Sequence, residues 1–142
     1  MDIENIDPAC GRLVRQKKEI AKRYQRVVDD QTSGKSFWQR AVEQLDLEIL
    51  VSGLSPDEIS QGPLLVVANH PFGQVDGVVL SHLIETFRPD YQVVAWEILN
   101  ASDQLAVVVL PICFKDNYSA KRKNLATMRS TVETLQDGGT VI

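Results

Sequence analysis

One histidine and one aspartate lie six positions apart, at a junction between two apolar segments. The run Leu64–Ala68 is continuously apolar and stops at Asn69 and His70, and Asp76 opens the next apolar-periodic segment. A carboxylate that accepts from one imidazole nitrogen fixes the tautomer and leaves the other nitrogen to take a proton. These residue types at this spacing are those of a general base and the acid that orients it.

The turn between the two residues carries local signals that would aim them. Because His70 precedes Pro71, its backbone is restricted to the extended region, which directs the imidazole away from the following helix. Gly73 lets the chain double back. Asp76 falls near the predicted helix N-terminus, where the macrodipole favours an ionised carboxylate. Backbone N–H groups at Gly73 and after it are candidate donors to an oxyanion.

Other interpretations of these residues remain open at this point. Asp76 also has the position of a plain helix cap, and His70 that of a turn residue satisfied by backbone groups. Cys113 follows another predicted strand and is a further candidate nucleophile, although its apolar surroundings argue against the thiolate form. The two histidines and two distant cysteines form no zinc-ligand cluster, and the nearby glycines form neither a dinucleotide fingerprint nor a P-loop.

At this junction the sequence resembles the lysophospholipid (1-acylglycerol-3-phosphate) acyltransferase superfamily, in its hemolysin-like and ornithine-lipid-type branch. The segments that carry the resemblance are VVANHPFGQVDG at Val66–Gly77, SGL at Ser52–Leu54, RPD at Arg88–Asp90, LPI at Leu110–Ile112 and the final LQDGGTVI. They fall within residues 37–142. The resemblance implies that His70 removes a proton from an acceptor hydroxyl or amine and that Asp76 orients His70.

The resemblance also implies a fold, a reaction and partners. The fold is α/β, with N-terminal helices followed by a mostly parallel sheet with crossover helices, of the glycerolipid acyltransferase kind and incomplete at the C-terminus. The reaction moves a fatty acyl group from a thioester of acyl carrier protein or coenzyme A to a lysophospholipid, glycerol-phosphate or related lipid acceptor. Beyond that co-substrate we expect no cofactor, no metal and no nucleic acid. The expected location is the cytoplasm, peripheral on the inner (cytoplasmic) membrane face.

Two departures from the family pattern affect the rest of the site. Five residues separate His70 from Asp76, where the common motif has four; the HPFG or HPTG branch has the longer spacing. The Phe-Pro-x-Gly block, which binds the polar head of the acceptor, would begin after Ile142, and an arginine-bearing block expected after Leu110 has no secure match. The residues assigned to substrate binding are Asn69, Gly73, Lys115 and Arg122.

Composition limits the classes of function. The 142 residues are 44% hydrophobic and 24% charged, which is near the globular average and sufficient for one core. A net charge of −4 argues against the polycationic field of a non-specific nucleic-acid binder. No window approaches the ~18 apolar residues of a spanning helix, and the acidic N-terminus is unlike a signal peptide.

We predict two regions, residues 1–35 and 36–142. The first is a basic amphipathic helix region, with helical apolar spacing from Gly11 to Gln31 and seven cations against Glu19 alone on the opposite face. Such a helix can lie on an anionic leaflet or be an ordinary solvated helix. The second region is the acyltransferase-like α/β domain. A non-catalytic lipid- or protein-binding α/β domain is the alternative.

Periodicity predicts the elements that must position the pair. A capping box at Ser36 and Gln39 begins a helix, and a helix with a broad apolar face runs from the junction to Phe87. The other predicted elements are strands at Leu47–Val51, Leu64–Ala68 (buried on both faces), Tyr91–Ala95 and Ala106–Pro111, a short helix or turn at Trp96–Gln104 and a strand opening at Thr140. A helix is also predicted at about Ser119–Gln136; its apolar face carries Leu125, Met128, Val132 and Leu135, and it stops at Asp137-Gly138-Gly139. This alternation predicts a parallel sheet with His70 at the carboxyl edge, where ligands bind.

Overall fold

The computed structural model of the chain describes residues 19, 22–23, 25–30, 34–53, 59, 61–97 and 103–142. Its elements are α1 (Phe37–Gln44), β1 (Leu64–Leu65), α2 (Gln74–Phe87), β2 (Tyr91–Trp96), α3 (Asp103–Val108), β3 (Val109–Ile112), α4 (Tyr118–Gln136) and β4 (Thr140–Val141). The chain divides into two compact units between Glu48 and Ile49. The predicted region boundary between residues 35 and 36 stays a prediction.

In the first unit, α1 begins at the predicted capping box. The Ser36 hydroxyl accepts from the Gln39 N–H at 3.1 Å, and the Gln39 side chain accepts from the Ser36 N–H at 3.1 Å. Phe37 and Trp38 follow, both buried, with their rings in an edge-to-face contact. Two helix-terminal N–H groups are thereby satisfied and the aromatic pair is directed into the core of this unit.

Part of the predicted basic helix lies within the described residues. Residues 22–23 and 25–29 are helical, Lys22 and Arg26 are exposed, and Val27 is fully buried. Residues 11–18, 20, 21, 24 and 31 of this prediction lie outside the described residues. Contact of this helix with a membrane stays a prediction.

The second unit contains the predicted parallel sheet. Its four strands are all parallel, in the order β1-β4-β2-β3. Strand β4 lies between β1 and β2, where Thr140 pairs with both Leu64 and Tyr91. Both β4 residues, Thr140 and Val141, are buried. Because all strands are parallel, their carboxyl ends share one edge.

The prediction that Leu64–Ala68 is a strand buried on both faces is wrong. The ladder covers Leu64 and Leu65 and extends by one bond from the Val66 N–H to the Val141 carbonyl at 2.8 Å. Leu65 and Val67 are exposed. Leu64 and Val66 are half-buried, so burial alternates along this segment, and an apolar run by itself does not reveal that one face of a strand is left uncovered.

Two other predicted strands are also different in the structure. Residues 106–108 belong to α3, and only 109–112 form β3. The sequence does not predict this boundary, because an uninterrupted apolar run has no periodicity that distinguishes a helix from a strand. The stretch Leu47–Val51 is not a strand, and Leu50 is exposed. Alternation in a short segment specifies a strand only where a neighbouring strand is available to pair with it.

Helix α4 and its Gly-Gly stop lie where they were predicted, but the packed side of the helix differs. Of the four residues predicted to mark the apolar face, Leu125, Met128 and Val132 are exposed and Leu135 is half-buried. The helix instead packs through Ala120 and Thr127, with the Thr127 hydroxyl donating to the Pro111 carbonyl at 2.6 Å. The Thr127 hydroxyl satisfies a strand carbonyl that a larger apolar side chain at this position would leave unpaired.

The buried guanidinium of Arg88 joins the beginnings of three strands. It donates to both carboxylate oxygens of Asp90 at 3.0 and 2.8 Å, to the Gly62 carbonyl at 3.0 Å and to the Gly138 carbonyl at 2.9 Å. These partners immediately precede β1, β2 and β4. The RPD segment is therefore the structural link at the amino ends of these strands.

We expect Arg88→Ala to lower the free energy of unfolding by roughly 3–5 kcal/mol, because it removes a buried charge-assisted network. Urea unfolding followed by circular dichroism measures this. Lys121→Ala is the matched control, since Lys121 forms an exposed ion pair with Asp116 and its loss should cost under about 1 kcal/mol. Equal losses in the two variants would contradict the role given to Arg88.

A pH dependence should accompany this network. The hydrogen bonds from Arg88 hold the pKa of Asp90 below its usual value. The stabilisation is thus present above the unfolded-state pKa, about 3.9, and is lost as the pH falls through the lower folded-state pKa. Because Asp90 is about half exposed, at 48%, we expect no more than roughly 1 kcal/mol. Unfolding of Asp90→Asn at pH 7 and pH 3 should lack this component.

Candidate active site

A tight turn carries the chain from β1 into α2 and presents His70. Residues 66–70 follow the strand, residues 71–73 form the turn, and α2 begins at Gln74. Gly73 is the N-cap residue, with φ 64° and ψ −121°, a conformation essentially restricted to glycine. The Gly73 N–H donates to the His70 carbonyl at 3.4 Å. A glycine at this position thus allows the histidine and the helix N-terminus to lie side by side.

The predicted pair is brought together by this turn. His70 Nδ1 lies 3.8 Å from Asp76 Oδ2, which is ion-pair range but longer than a hydrogen bond. The His70 side chain is 60% exposed and that of Asp76 is 24% exposed. The imidazole is therefore accessible to a ligand, while the carboxylate beside it is largely sheltered.

Asp76 has a second contact through the same oxygen. Its Oδ2 accepts from the backbone N–H of Phe72 at 2.6 Å. Asp76 is thus the third residue of α2 bonding back to the residue before the N-cap, much as the acid of a capping box does. The helix-cap interpretation and the histidine-orienting interpretation of Asp76 both have a geometric basis.

Gly77 lies next to the imidazole of His70. A Cβ added at Gly77 would lie 3.7 Å from His70 Cε1, an ordinary van der Waals distance. The ring therefore lies beside the first turn of α2. With Nδ1 turned to Asp76, Nε2 is the ring nitrogen left to exchange a proton with a ligand.

Backbone donors are available next to the pair. The first N–H groups of a helix have no acceptor within the helix, and here these belong to Gln74, Val75 and Asp76. The Gly73 N–H, the first predicted donor, is engaged with the His70 carbonyl instead. The N–H groups after Gly73 are therefore the better candidates to stabilise an oxyanion, assisted by the macrodipole of α2.

The other predicted substrate-binding residues fall into two groups. Asn69 and Gly73 adjoin His70 and are, respectively, exposed and half-buried. Lys115 and Arg122 are exposed in the β3–α4 connection and on α4. β1 and β3 are the outer strands of the described sheet, so the strands that precede the two groups are three spacings, or about 14 Å, apart. The structure does not bring the two cations to the His70–Asp76 pair.

A polar cluster that the sequence did not predict lies after β2 and β3. The Cys113 thiol donates to the Glu97 carboxylate at 3.1 Å, and Lys123 lies 3.3 Å from the other carboxylate oxygen. These hydrogen bonds, first from Cys113 and then from Lys123, lower the pKa of Glu97. Asn124 holds the Cys113 backbone through its own amide, accepting and donating at 2.9 Å.

Glu97, Cys113 and Lys123 line a cavity of about 520 Å³ together with Leu110, Pro111 and Thr127. His70 follows β1, which is the outer strand on the side of the described sheet away from β3. The structure thus does not assemble a Cys113–His70 nucleophile pair. The position of Glu97 directly after a strand was the available sequence signal, but the contact with Cys113 depends on the pairing of β2 and β3.

The second histidine has a local partner. His82 Nδ1 lies 3.1 Å from Glu85 Oε1 on the same helix. Among the described residues no group of three or more potential ligands could hold a metal ion, and no helix there is long and apolar enough to cross a membrane. Comparison of the chain with protein-family models, with curated proteins and with solved structures finds no match.

Two substitutions separate the contacts of Asp76. Asp76→Ala removes the acceptor of the Phe72 N–H and should lower the free energy of unfolding by about 1 kcal/mol. Asp76→Asn retains an acceptor oxygen and should lose less than half as much. Urea unfolding of the two variants side by side measures the difference. Equal losses would show that the bond to Phe72 is not what Asp76 contributes to stability.

Proposed function

We propose that this chain carries the catalytic base of an acyltransferase acting on lipid acceptors. The acyl group would come from a thioester of coenzyme A or acyl carrier protein. The acceptor would be a lysophospholipid, a glycerol phosphate or a related lipid with a free hydroxyl or amine. The observation that carries the proposal is the exposed His70 with a sheltered carboxylate 3.8 Å from its Nδ1, at the carboxyl edge of a parallel sheet.

The proposed reaction needs one proton to move twice. The acceptor oxygen or nitrogen forms a bond to the thioester carbonyl carbon, and His70 Nε2 takes the proton of that acceptor hydroxyl or amine. The tetrahedral intermediate then collapses, the carbon–sulfur bond breaks, and the imidazolium returns the proton to the leaving thiolate. General-base assistance of this kind is worth typically 10²- to 10⁴-fold.

Asp76 supports the charged form of the imidazole. At 3.8 Å the two groups are close enough to attract one another once His70 is protonated, without a direct hydrogen bond. Contacts between catalytic groups are often loose without substrate and shorten when it binds. Proton transfer to His70 strengthens the attraction to the carboxylate, so that the pair should close when the imidazolium forms.

The start of α2 offers hydrogen-bond donors for the oxyanion that the reaction forms. The carbonyl oxygen becomes negatively charged in the tetrahedral intermediate, and preorganised N–H donors stabilise such an oxyanion. The N–H groups of Gln74, Val75 and Asp76 lie within one helical turn of the pair. A fold of the glycerolipid acyltransferase kind is part of this proposal, as are the lipid and thioester partners and a membrane-surface location.

A second candidate function is a non-catalytic lipid- or protein-binding domain. The observation that favours it is the bond from Phe72 to Asp76, which at 2.6 Å is shorter than the approach to His70. In that case the aspartate serves the turn alone and the histidine is an exposed turn residue. Binding without acyl transfer would then be the whole activity.

The two histidines give a direct test. We expect His70→Ala to lower the rate of acyl transfer by about 10²- to 10⁴-fold, because the base is lost. His82→Gln is the matched control and should retain activity within a few-fold, since His82 bonds only to Glu85 among the described residues. Mass spectrometry of the acylated product measures transfer from coenzyme A and carrier-protein thioesters to lysophosphatidic acid and glycerol phosphate.

The remaining outcomes discriminate between the two functions. Asp76→Asn should lose activity while it remains folded, because it keeps the turn but not the charge. An unchanged rate of acyl transfer in folded His70→Ala would contradict the mechanism. Vesicle binding without transfer to any of these acceptors would favour the binding domain.

A further inference from the structure

Three exposed aromatic side chains lie at or after the carboxyl ends of β2 and β3, on the side of the described sheet away from β1. Trp96 ends β2, Phe114 follows β3 and Tyr118 begins α4; they are 48%, 76% and 83% exposed. The Trp96 and Phe114 ring centroids are 6.2 Å apart. Single exposed apolar residues are ordinary, whereas adjacent ones mark an interaction surface.

Four cations accompany these aromatic residues. They are Lys115, Lys121, Arg122 and Lys123, and with Trp96, Phe114 and Tyr118 they define the β3–α4 patch. Asp116 pairs with Lys121 at 2.9 Å, and Glu97 pairs with Lys123 at 3.3 Å. Four cations against two carboxylates leave this patch positive on a chain whose net charge is −4.

Helix stability does not explain this concentration of positive charge. Cations near a helix N-terminus oppose the macrodipole, and the first turn of α4 carries no acidic residue to offset them. The helix is capped independently, because the Asn117 side chain accepts from the Ala120 N–H at 2.9 Å. An external anionic surface would give these cations a favourable partner.

The exposed side of α4 extends the same chemistry along the helix. Leu125 and Val132 are about half exposed, at 50% and 52%. The positions that share this side, at spacings of four and three, are Tyr118, Arg122, Leu125, Arg129 and Val132. Apolar and arginine side chains thus alternate along a helix of 19 residues, which is about 28 Å long.

We propose that the β3–α4 patch docks the chain on an anionic lipid bilayer. Tyrosine and tryptophan have an apolar body and a polar tip and accumulate at the headgroup level of membranes. Lysine and arginine are attracted by anionic headgroups, and an amphipathic helix lies in the plane of the interface. The choice of a bilayer over an acidic protein rests on the proposed function, whose acceptor is a lipid.

Trp96 is a built-in reporter of this docking. The chain has two tryptophans, and Trp38 is buried in the other compact unit. In Trp38→Phe, the emission of Trp96 should shift to the blue with phosphatidylglycerol–phosphatidylcholine vesicles and be quenched by brominated acyl chains. Phosphatidylcholine vesicles alone should give a much smaller change. An emission spectrum that the anionic vesicles leave unaltered would overturn the proposal.

Vesicle sedimentation with variants in the 142-residue chain locates the surface. Phe114→Ser with Tyr118→Ser should weaken partitioning roughly tenfold or more, because both side chains leave the interface. Lys115→Gln with Arg122→Gln should weaken binding to anionic vesicles about thirtyfold, at roughly fivefold for each charge. If circular dichroism shows that the first double variant is unfolded, the second double variant still tests the proposal.

Matched controls lie outside the patch. Leu50→Ser removes another exposed apolar side chain, and Lys22→Gln with Arg26→Gln removes two exposed cations of the predicted basic helix. Both should bind vesicles within about twofold of the parent chain. Loss of binding in the Lys22 and Arg26 variant alone would assign docking to the basic helix and overturn the proposal.

Two further measurements separate this proposal from the catalytic one. His70→Ala should retain full vesicle binding, so that a failure of acyl transfer leaves the docking result intact. Patch variants that bind vesicles normally but lose affinity for acyl carrier protein would show that the occupant is an acidic protein. That outcome would contradict the bilayer proposal without affecting the proposed role of His70.

Discussion

The guanidinium of Arg88 is the contact on which the arrangement of the sheet depends. It is 4% exposed and bonds to Asp90 and to the carbonyls of Gly62 and Gly138, so that one side chain fixes the starts of β1, β2 and β4. A buried guanidinium needs most of its donors satisfied, and only this relative placement of the three segments satisfies them. The strand that leads to His70 is thereby held beside β4.

The same constraint explains why two glycines end α4. Gly138 has φ 84° and presents its carbonyl to Arg88. Gly139 has no room for a side chain, because an added Cβ would lie 2.8 Å from Thr134 Cγ2 and 2.9 Å from the Thr134 carbonyl. The chain can therefore turn sharply from α4 into β4. With only two ladder residues, β4 still bridges β1 and β2, and this bridge places His70 on the shared carboxyl edge.

Sequence patterns predicted the features that local chemistry determines. The capping box at Ser36, the end of the second helix at Phe87 and the Gly-Gly stop all depend on residues close together in the chain. The patterns failed where the burial of a residue depends on segments that are distant in the sequence. The exposure of Leu65 depends on which elements cover that face of the sheet, and the packed side of α4 includes the bond from Thr127 to Pro111. The His70–Asp76 approach was predictable because one turn contains it, whereas the contact of Cys113 with Glu97 spans two strands.

One carboxylate oxygen connects the fold of the turn to its chemistry. Asp76 Oδ2 holds the Phe72 N–H and faces His70 Nδ1, so that the interaction that closes the turn also sets the position of the imidazole. A carboxylate that already accepts one backbone hydrogen bond is held in place without a further supporting residue. The imidazole ring lies beside Gly77, in the first turn of α2. A structural role for Asp76 therefore does not compete with an orienting role, because forming the turn is what orients the pair.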